Sequence, residues 1–355
     1  MKSTVYFAPV KDADDIGAVN GQLKKLLEKS RILDVIREKD KVGMKMHFGE
    51  AGNINFVRPA HVRVICDEVK RKGASITLAD VNTLYRGRRL NAADHQALAR
   101  EHGFTKKAVG LDVFIPDDKK EADIAAVQIN QKHIQTAKVA RLFIDADAIV
   151  SIGHFKGHGL TGFGGAIKNI GMGCATREGK LAQHCDAAPV FNTDRCTGCG
   201  ECEIVCPAEA ITMENEKAVL DRSKCIGCAS CVAACPNMTI FIDTEAGDAV
   251  QEKMAEYAYA VLNDKKGKAC FLNFALRINQ ECDCWPYKNP RIGPDVGIFA
   301  SLDPVGIDKA SFDLVNQASG EDIFKKAHPK EDGLKQLRHA QDIGLGTMEY
   351  DLISV

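Results

Sequence analysis

The chain reads as an α/β protein in which a mostly parallel sheet with flanking helices is interrupted by a small α+β module. Three observations predict this. Short β-rich runs alternate with helical stretches, as a layered α/β sheet requires. The alternation runs on both sides of one segment that holds eight of the fourteen cysteines. That segment also repeats itself internally. The division that follows is 1–188 for the first part of the α/β domain, 189–244 for the insert and 245–355 for the second part.

Candidate strands are Thr4–Ala8, Val42–Phe48, Ser75–Asp80, Ala125–Asn130, Ala148–Ile152, Lys268–Phe274 and Val296–Ala300. The clearest helix is Arg58–Lys72. Pro59 is pre-set for its first turn, Val62, Ile65 and Val69 share a face, and Gly73 lies past its end. Asp303 before Pro304, followed by Ile307, Ala310 and Val315, starts another helix with its own cap.

Composition narrows the function classes. With 355 residues, 45% hydrophobic and 27% charged, the chain has material for a sizeable core plus an accessory module, and disorder is excluded as its main character. Lys and Arg (47) nearly cancel Asp and Glu (48), so no global basic field exists to attract nucleic acid or an anionic bilayer. The apolar start is interrupted at Lys11 and Asp12, too early for a secretory signal. The longest charge-free run, Cys225–Ile242, carries four cysteines, a proline and an asparagine, which a membrane helix would not tolerate. Fourteen cysteines without an export signal predict a reducing, cytoplasmic setting and metal or redox chemistry.

The insert makes that chemistry specific. Cys196, Cys199, Cys202 and Cys206-Pro207 recur 29 residues later as Cys225, Cys228, Cys231 and Cys235-Pro236. In the spacing C-x2-C-x2-C-x3-C-P, three cysteines wrap one iron–sulfur cubane and the fourth reaches the partner cluster. The expected ligand sets are therefore Cys196, Cys199, Cys202 and Cys235 for one [4Fe–4S] cluster, and Cys225, Cys228, Cys231 and Cys206 for the other. Gly198, Gly200, Gly227 and Ala229 keep the loops small enough for backbone to approach sulfide. Structural zinc, which normally uses two separated C-x2-C pairs, fits this spacing poorly. The module is thus read as a ferredoxin-like relay of single electrons.

Polar clusters follow the candidate strands: His47–Glu50, Asp80–Arg86, Gly153–His158, Glu281–Cys284 and Ser301–Asp303. Ligands of parallel sheets bind outside the carboxyl ends of the strands, so these clusters are expected to converge. His154, Lys156, His158, Lys168 and His184 are the candidate catalytic residues, with the histidines as metal ligands or proton carriers and the lysines as anion contacts. Glu50, Asp80 and Arg86 are candidate acid/base groups or substrate clamps. Gly162–Asn169, a glycine-rich turn entering a helix, predicts a phosphate or carboxylate site. Cys282 and Cys284 flank Asp283, and in an extended segment both would point one way and could grip an additional metal ion or act as a redox pair. Cys66, Cys174, Cys185 and Cys270 are expected to be structural.

GEAGNINFVRP, DVNTLYRGRR, HFKGHGLTGFGGAIKNIGMG, REGK with His184, and CDC followed by DPVGIDKAS together resemble the domain-of-unknown-function 362 family. In that family a bacterial two-cluster ferredoxin unit is often inserted after the GGAIKN block, as here. The resemblance implies fold and cofactors, and it implies no reaction. The expectation is an iron–sulfur oxidoreductase delivering electrons to a metal or small anionic substrate, supplied by a redox partner protein. The rivals are a non-enzymatic electron carrier or assembly factor whose α/β domain only docks partners, and a metal-dependent hydrolase or transferase with structural clusters.

Overall fold

The computed structural model describes residues 2–84, 87–117, 120–184, 189–206, 208–225, 230–241, 249–285 and 289–355. An eight-stranded sheet runs in the order Tyr350–Ser354, Ser3–Pro9, Gly297–Ser301, Ala269–Ala275, Ala148–His154, Lys41–Lys45, Ser75–Ala79, Val113–Phe114. The last five of these are mutually parallel. Gly297–Ser301 is antiparallel to both of its neighbours, and Ser3–Pro9 pairs parallel with Tyr350–Ser354. The sheet is therefore mixed, mostly parallel, and covered by helices on both faces.

Alternation along the central strands sets the two faces. Val150, Ile152 and Leu272 join one core with Leu23, Leu26, Val62 and Ile65 from helices Ile16–Ser30 and Pro59–Arg71. Ile149 and Phe271 join the other with Met254, Tyr257, Ile307 and Val315 from helices Val250–Leu262 and Pro304–Ser319. A strand covered on both sides is buried at every position, as Ala148–His154 and Ala269–Ala275 are, and their polar members Ser151, His154 and Asn273 are hydrogen-bonded. Asp303 caps its helix as expected, accepting from the N–H groups of Val305 and Gly306 at 2.8 and 2.9 Å.

Several expectations shift. The strand predicted as Val42–Phe48 ends at Lys45, because the chain turns through Gly49 (φ +83°) and Glu50 N–H donates to Asp283 O at 2.9 Å. The Ala125–Asn130 strand forms as Ile124–Gln128, but it pairs with Thr136–Ala140 in a hairpin outside the main sheet. The short Val113–Phe114 and the half-exposed Tyr350–Ser354 carry too little apolar pattern to be read from sequence.

Within the cysteine segment, Val190–Phe191 pairs antiparallel with Ile240–Phe241, and Ile211–Glu214 forms a hairpin with Lys217–Leu220. Short helices Glu201–Ile204 and Ser230–Ala234 pack on each other. Its small core joins Cys202, Ile211, Ala218, Cys231, Val232, Cys235 and Ile240 to Leu84 and Leu181 of the α/β domain. Among the described residues no helix is long and apolar enough to cross a membrane.

Candidate functional site

Register decides which polar clusters meet. Lys45 stands beside both Ala79 and Ser151, and His154 beside Phe274, so segments leaving four parallel strands start from one edge. Ser301–Asp303 was expected to join them. It does not, because Gly297–Ser301 is antiparallel and its carboxyl end lies at the opposite edge of the sheet.

At the shared edge lies a cavity of about 350 Å³. Lys45, His47, Asp80, Arg89, His154, Lys156, His158, Lys168, Lys180, His184, Cys282 and Cys284 line it from the α/β domain, and Val232, Met238, Ile240 and Phe241 line it from the cysteine segment. All five candidate catalytic residues are thus brought together. Lys45, His47, Arg89 and Lys180 were not among them. A lysine inside the apolar strand KVGMK was the available signal, and Lys45 is 1% exposed.

A buried charge must be paired, and the pairing here is dense. Lys45 Nζ lies 2.9 Å from Asp80 Oδ1, and it also donates to Asn169 Oδ1 at 3.2 Å. Burial opposes the charge of Asp80, but Lys45 with His95 and His47 holds its carboxyl well below the usual range. Glu50, also buried, accepts from Arg89 Nε at 3.1 Å, and Arg89 donates to His47 Nε2 at 2.8 Å. Glu50 and Asp80 are therefore fixed members of an ion-pair network, and Arg86 lies outside the described residues.

The histidines divide by what their rings face. His154 Nδ1 donates to Asp283 Oδ2 at 2.8 Å and Nε2 to Leu276 O at 2.8 Å. Both nitrogens face oxygen acceptors, so in this placement neither offers a lone pair to the metal expected of it. Lys156 donates to His154 O at 2.9 Å and lies 3.7 Å from Asp283 Oδ2. His158 Nδ1 accepts from Leu160 N–H at 3.2 Å, leaving the ring proton on Nε2, and burial with the Lys168 charge holds it well below its ordinary pKa. His184 is the converse. Its Nδ1 donates to Lys180 O at 2.6 Å, leaving the lone pair on Nε2, and burial is the main force pushing its pKa down to about 4.

Cys282 and Cys284 sit on a turn rather than in the extended segment expected, yet their thiols hydrogen-bond to each other. Lys168 Nζ lies 3.6 Å from Cys282 Sγ. The Cys284 hydrogen bond and, against burial, the Lys168 and Lys156 charges pull Cys282 well below the ordinary thiol range. The bond to Cys282 and burial push Cys284 well above it. The pair thus favours a thiolate at Cys282 and a thiol at Cys284, beside the partly buried Lys168 ammonium.

The glycine-rich turn has a different occupant from the one expected. Ala166 and Ile167 N–H donate to Asp308 Oδ1 and Oδ2 at 2.6 and 2.9 Å, and Asn273 donates to Oδ1 at 2.7 Å. A carboxylate of the same chain fills the anion position, and a Cβ at Gly165 would stand 2.2 Å from Asp308 Oδ1. The Ala166 and Ile167 amides are thus taken within the chain, while Gly164, Gly165 and Lys168 of the same turn line the cavity.

In the cysteine segment, Cys196, Cys199, Cys202 and Cys235 line one small cavity together with Ile240. The loop reaches it through Gly198 and Gly200, both at positive φ (72° and 74°), and a Cβ at Gly198 would meet Glu216 O at 2.6 Å. The sequence duplication has a structural counterpart. Cys206 Sγ accepts from Ala210 N–H at 3.2 Å, and Cys235 Sγ from Thr239 N–H at 3.3 Å, four residues on in each case. Cys225 and Cys231 are described; Cys228, Gly227 and Ala229 lie outside the described residues. Among the described residues no group of three or more His, Cys, Asp or Glu is arranged around a single metal ion. Cys66, Cys174 and Cys270 are buried in the cores and pushed up to about 12 by burial, whereas Cys185 lies outside the described residues.

Fold and site together define a mixed, mostly parallel α/β protein with a basic, thiol-bearing cavity at the carboxyl edge of its parallel strands. The family model "Domain of unknown function (DUF362)" matches residues 42–313, more than half of the chain, and the chain belongs to that family. Among solved structures it is similar to the lactate racemase apoprotein from Thermoanaerobacterium thermosaccharolyticum, with 15% identity and a TM-score of 0.40, over 78% of this chain and 51% of that one. It is also similar to a structural-genomics protein from Thermotoga maritima, with 13% identity and a TM-score of 0.42, over 86% of this chain and 59% of that one. The chain spans between half and three fifths of the length of these structures. No curated protein matches it.

Proposed function

We propose that the chain is an iron–sulfur oxidoreductase in which 189–244 is a two-cluster ferredoxin-like domain and the sheet-edge cavity holds a small anionic substrate. The observation that carries this reading is a shared wall. Ile240 lines both the cavity bounded by Cys196, Cys199, Cys202 and Cys235 and the cavity bounded by Lys168, Cys282 and His184. A redox group in the first would stand one side chain away from a ligand in the second.

What supports the group is the residue set: Cys196, Cys199, Cys202 and Cys235 line one cavity, the glycines admit close backbone, and each half supplies an N–H to a cysteine sulfur, the kind of bond that tunes cluster potential. When bound, such clusters supply electrons one at a time. The remaining chemistry belongs to the chain. Among the described residues Asp80 is the one carboxylate in the cavity lining, and with Lys45, Arg89 and Lys156 set against Asp80, Glu50 and Asp283, Lys168 and Lys180 add the positive charge that favours an anion there. His158 offers a neutral N–H donor and His184 a neutral acceptor. The metal expected on Cys282 and Cys284 has no third ligand among the described residues, and the anion is the better-supported occupant.

Anaerobically purified protein is expected to carry about eight irons and eight sulfides per chain. Iron-free protein, or single zinc ions at those loops, would overturn the reading. A carrier is distinguished from an enzyme by reoxidation of the reduced protein. If small anionic oxidants accelerate it and Lys168→Met abolishes the acceleration, the cavity is a substrate site. If Lys168→Met leaves it unchanged, the α/β domain only docks partners.

A further inference from the structure

The electrons proposed above leave their clusters singly, whereas most reductions of small molecules take them in pairs. We infer that Cys282 and Cys284 form a reversible dithiol–disulfide couple that stores two electrons and passes them to a small disulfide bearing carboxylates. The inference rests on the proposed function for its electron source and goes beyond it in naming the acceptor and the substrate class.

Geometry carries it. The two thiols are already in hydrogen-bond contact. In an extended strand, residues two apart are separated by about 6.6 Å, near the upper limit of about 6.8 Å for a disulfide. The turn at Cys282–Cys284 brings them closer. That turn is pinned on both sides: Trp285 N–H donates to Cys282 O at 3.1 Å, Asn289 Nδ2 to the same oxygen at 3.4 Å, and Glu50 N–H to Asp283 O. Asp283, between the cysteines, directs its carboxylate to His154 and Lys156 while both thiols face the cavity. Lys168 Nζ at 3.6 Å marks Cys282 as the attacking sulfur, leaving Cys284 to resolve.

The chemistry balances. The Cys282–Cys284 bond takes up two electrons, delivered singly, and one proton to give the Cys282 thiolate and the Cys284 thiol. Cys282 thiolate then attacks the S–S bond of the substrate, forming a mixed disulfide and expelling one thiolate, which takes the Cys284 proton. Cys284 sulfur attacks Cys282, restores the internal disulfide and expels the second thiolate, which takes a proton from solvent. The sum is one disulfide, two electrons and two protons giving two thiols.

The test uses the anaerobically purified holoprotein equilibrated in glutathione buffers of increasing oxidation, acid-quenched, alkylated and read by mass spectrometry of the 282–284 peptide. The expected result is conversion from two alkylated thiols to an internal disulfide lighter by two hydrogens, while Cys66 and Cys270 do not change state. Cys284→Ser should instead trap a stable glutathione adduct on Cys282, with cluster absorbance confirming that the variant is folded. Two free thiols persisting at full oxidation, or no trapped adduct in Cys284→Ser, would overturn the couple. A separate arm reduces the oxidised pair with methyl viologen radical. Wild type should reduce faster than Cys235→Ala, with both equally reducible by dithiothreitol. A couple that forms but shows no such difference leaves this inference standing and sinks the electron route of the proposed function.

Discussion

The α/β domain and the cysteine segment meet at one cavity but are held together by different physics. The sheet is buried between two large apolar cores, and its buried charges are cross-paired: Lys45 with Asp80, Arg89 with Glu50, His154 with Asp283. Among the described residues the segment contributes seven buried members to its core, and three of them are cysteines. Two-residue strands and helices of four and five residues add little cooperative backbone. A region of that size ordinarily needs a staple, so on the reading proposed here the segment is ordered by what its sulfurs bind, whereas the α/β domain needs only its own side chains.

Removing iron by chelation should break that contrast most visibly. Limited proteolysis is expected to cut within 189–244 while far-UV circular dichroism of the sheet domain persists, because metal-binding free energy there is folding free energy. Equal resistance before and after chelation would show that the segment stands by itself.

The next effect is internal to the α/β domain. Asp308→Ala orphans the N–H groups of Ala166 and Ile167 and the Asn273 amide in a buried site, and is expected to cost about 3 kcal/mol by urea unfolding with iron content unchanged. A loss under 1 kcal/mol would mean that the turn does not depend on its carboxylate.

His184 sharpens the comparison through pH. Its folded pKa is near 4 and its ordinary value 6.5, so the unfolded chain takes up the proton first as pH falls. Stability from this group is complete above pH 6.5 and is lost on acidification toward 4, by up to about 3 kcal/mol. His61 is also lowered to about 4 and contributes to the same window, so the informative quantity is the difference between wild type and His184→Gln. A pH-independent difference in urea midpoint would exclude a neutral buried His184.

The smallest change is expected at Lys168→Met, which removes the ammonium beside Cys282. The midpoint pH for alkylation of Cys282 should rise by about one unit, while Cys270, already pushed up to about 12 by burial, stays inert at neutral pH. An unmoved midpoint would assign the thiolate to Cys284 hydrogen bonding alone.

Much of the fold was legible, since a strand buried on both faces writes itself as a mostly apolar run, as Ala148–His154 and Ala269–Ala275 do, and Pro59 and Asp303 mark helix starts by chemistry local to them. The site was legible as a set of residue types at strand ends. What misled was direction. Ser301–Asp303 carries the same polar signature as Gly153–His158, but strand polarity is a property of pairing and no local pattern encodes it. The glycine-rich turn failed similarly: its need for an anion was visible, but Asp308, supplied from 142 residues away, was not.

By itself the sequence determined which chemistry the chain can attempt: a duplicated cysteine spacing sets how sulfurs can be presented, because ligand geometry depends on a few neighbouring residues. Tertiary structure alone decided which lone pairs remain usable. It committed both nitrogens of His154, left one on His184, set Lys168 against Cys282 and gave Ile240 to two cavities at once, since each of these depends on groups far apart in the chain that meet only when the sheet and the insert are packed.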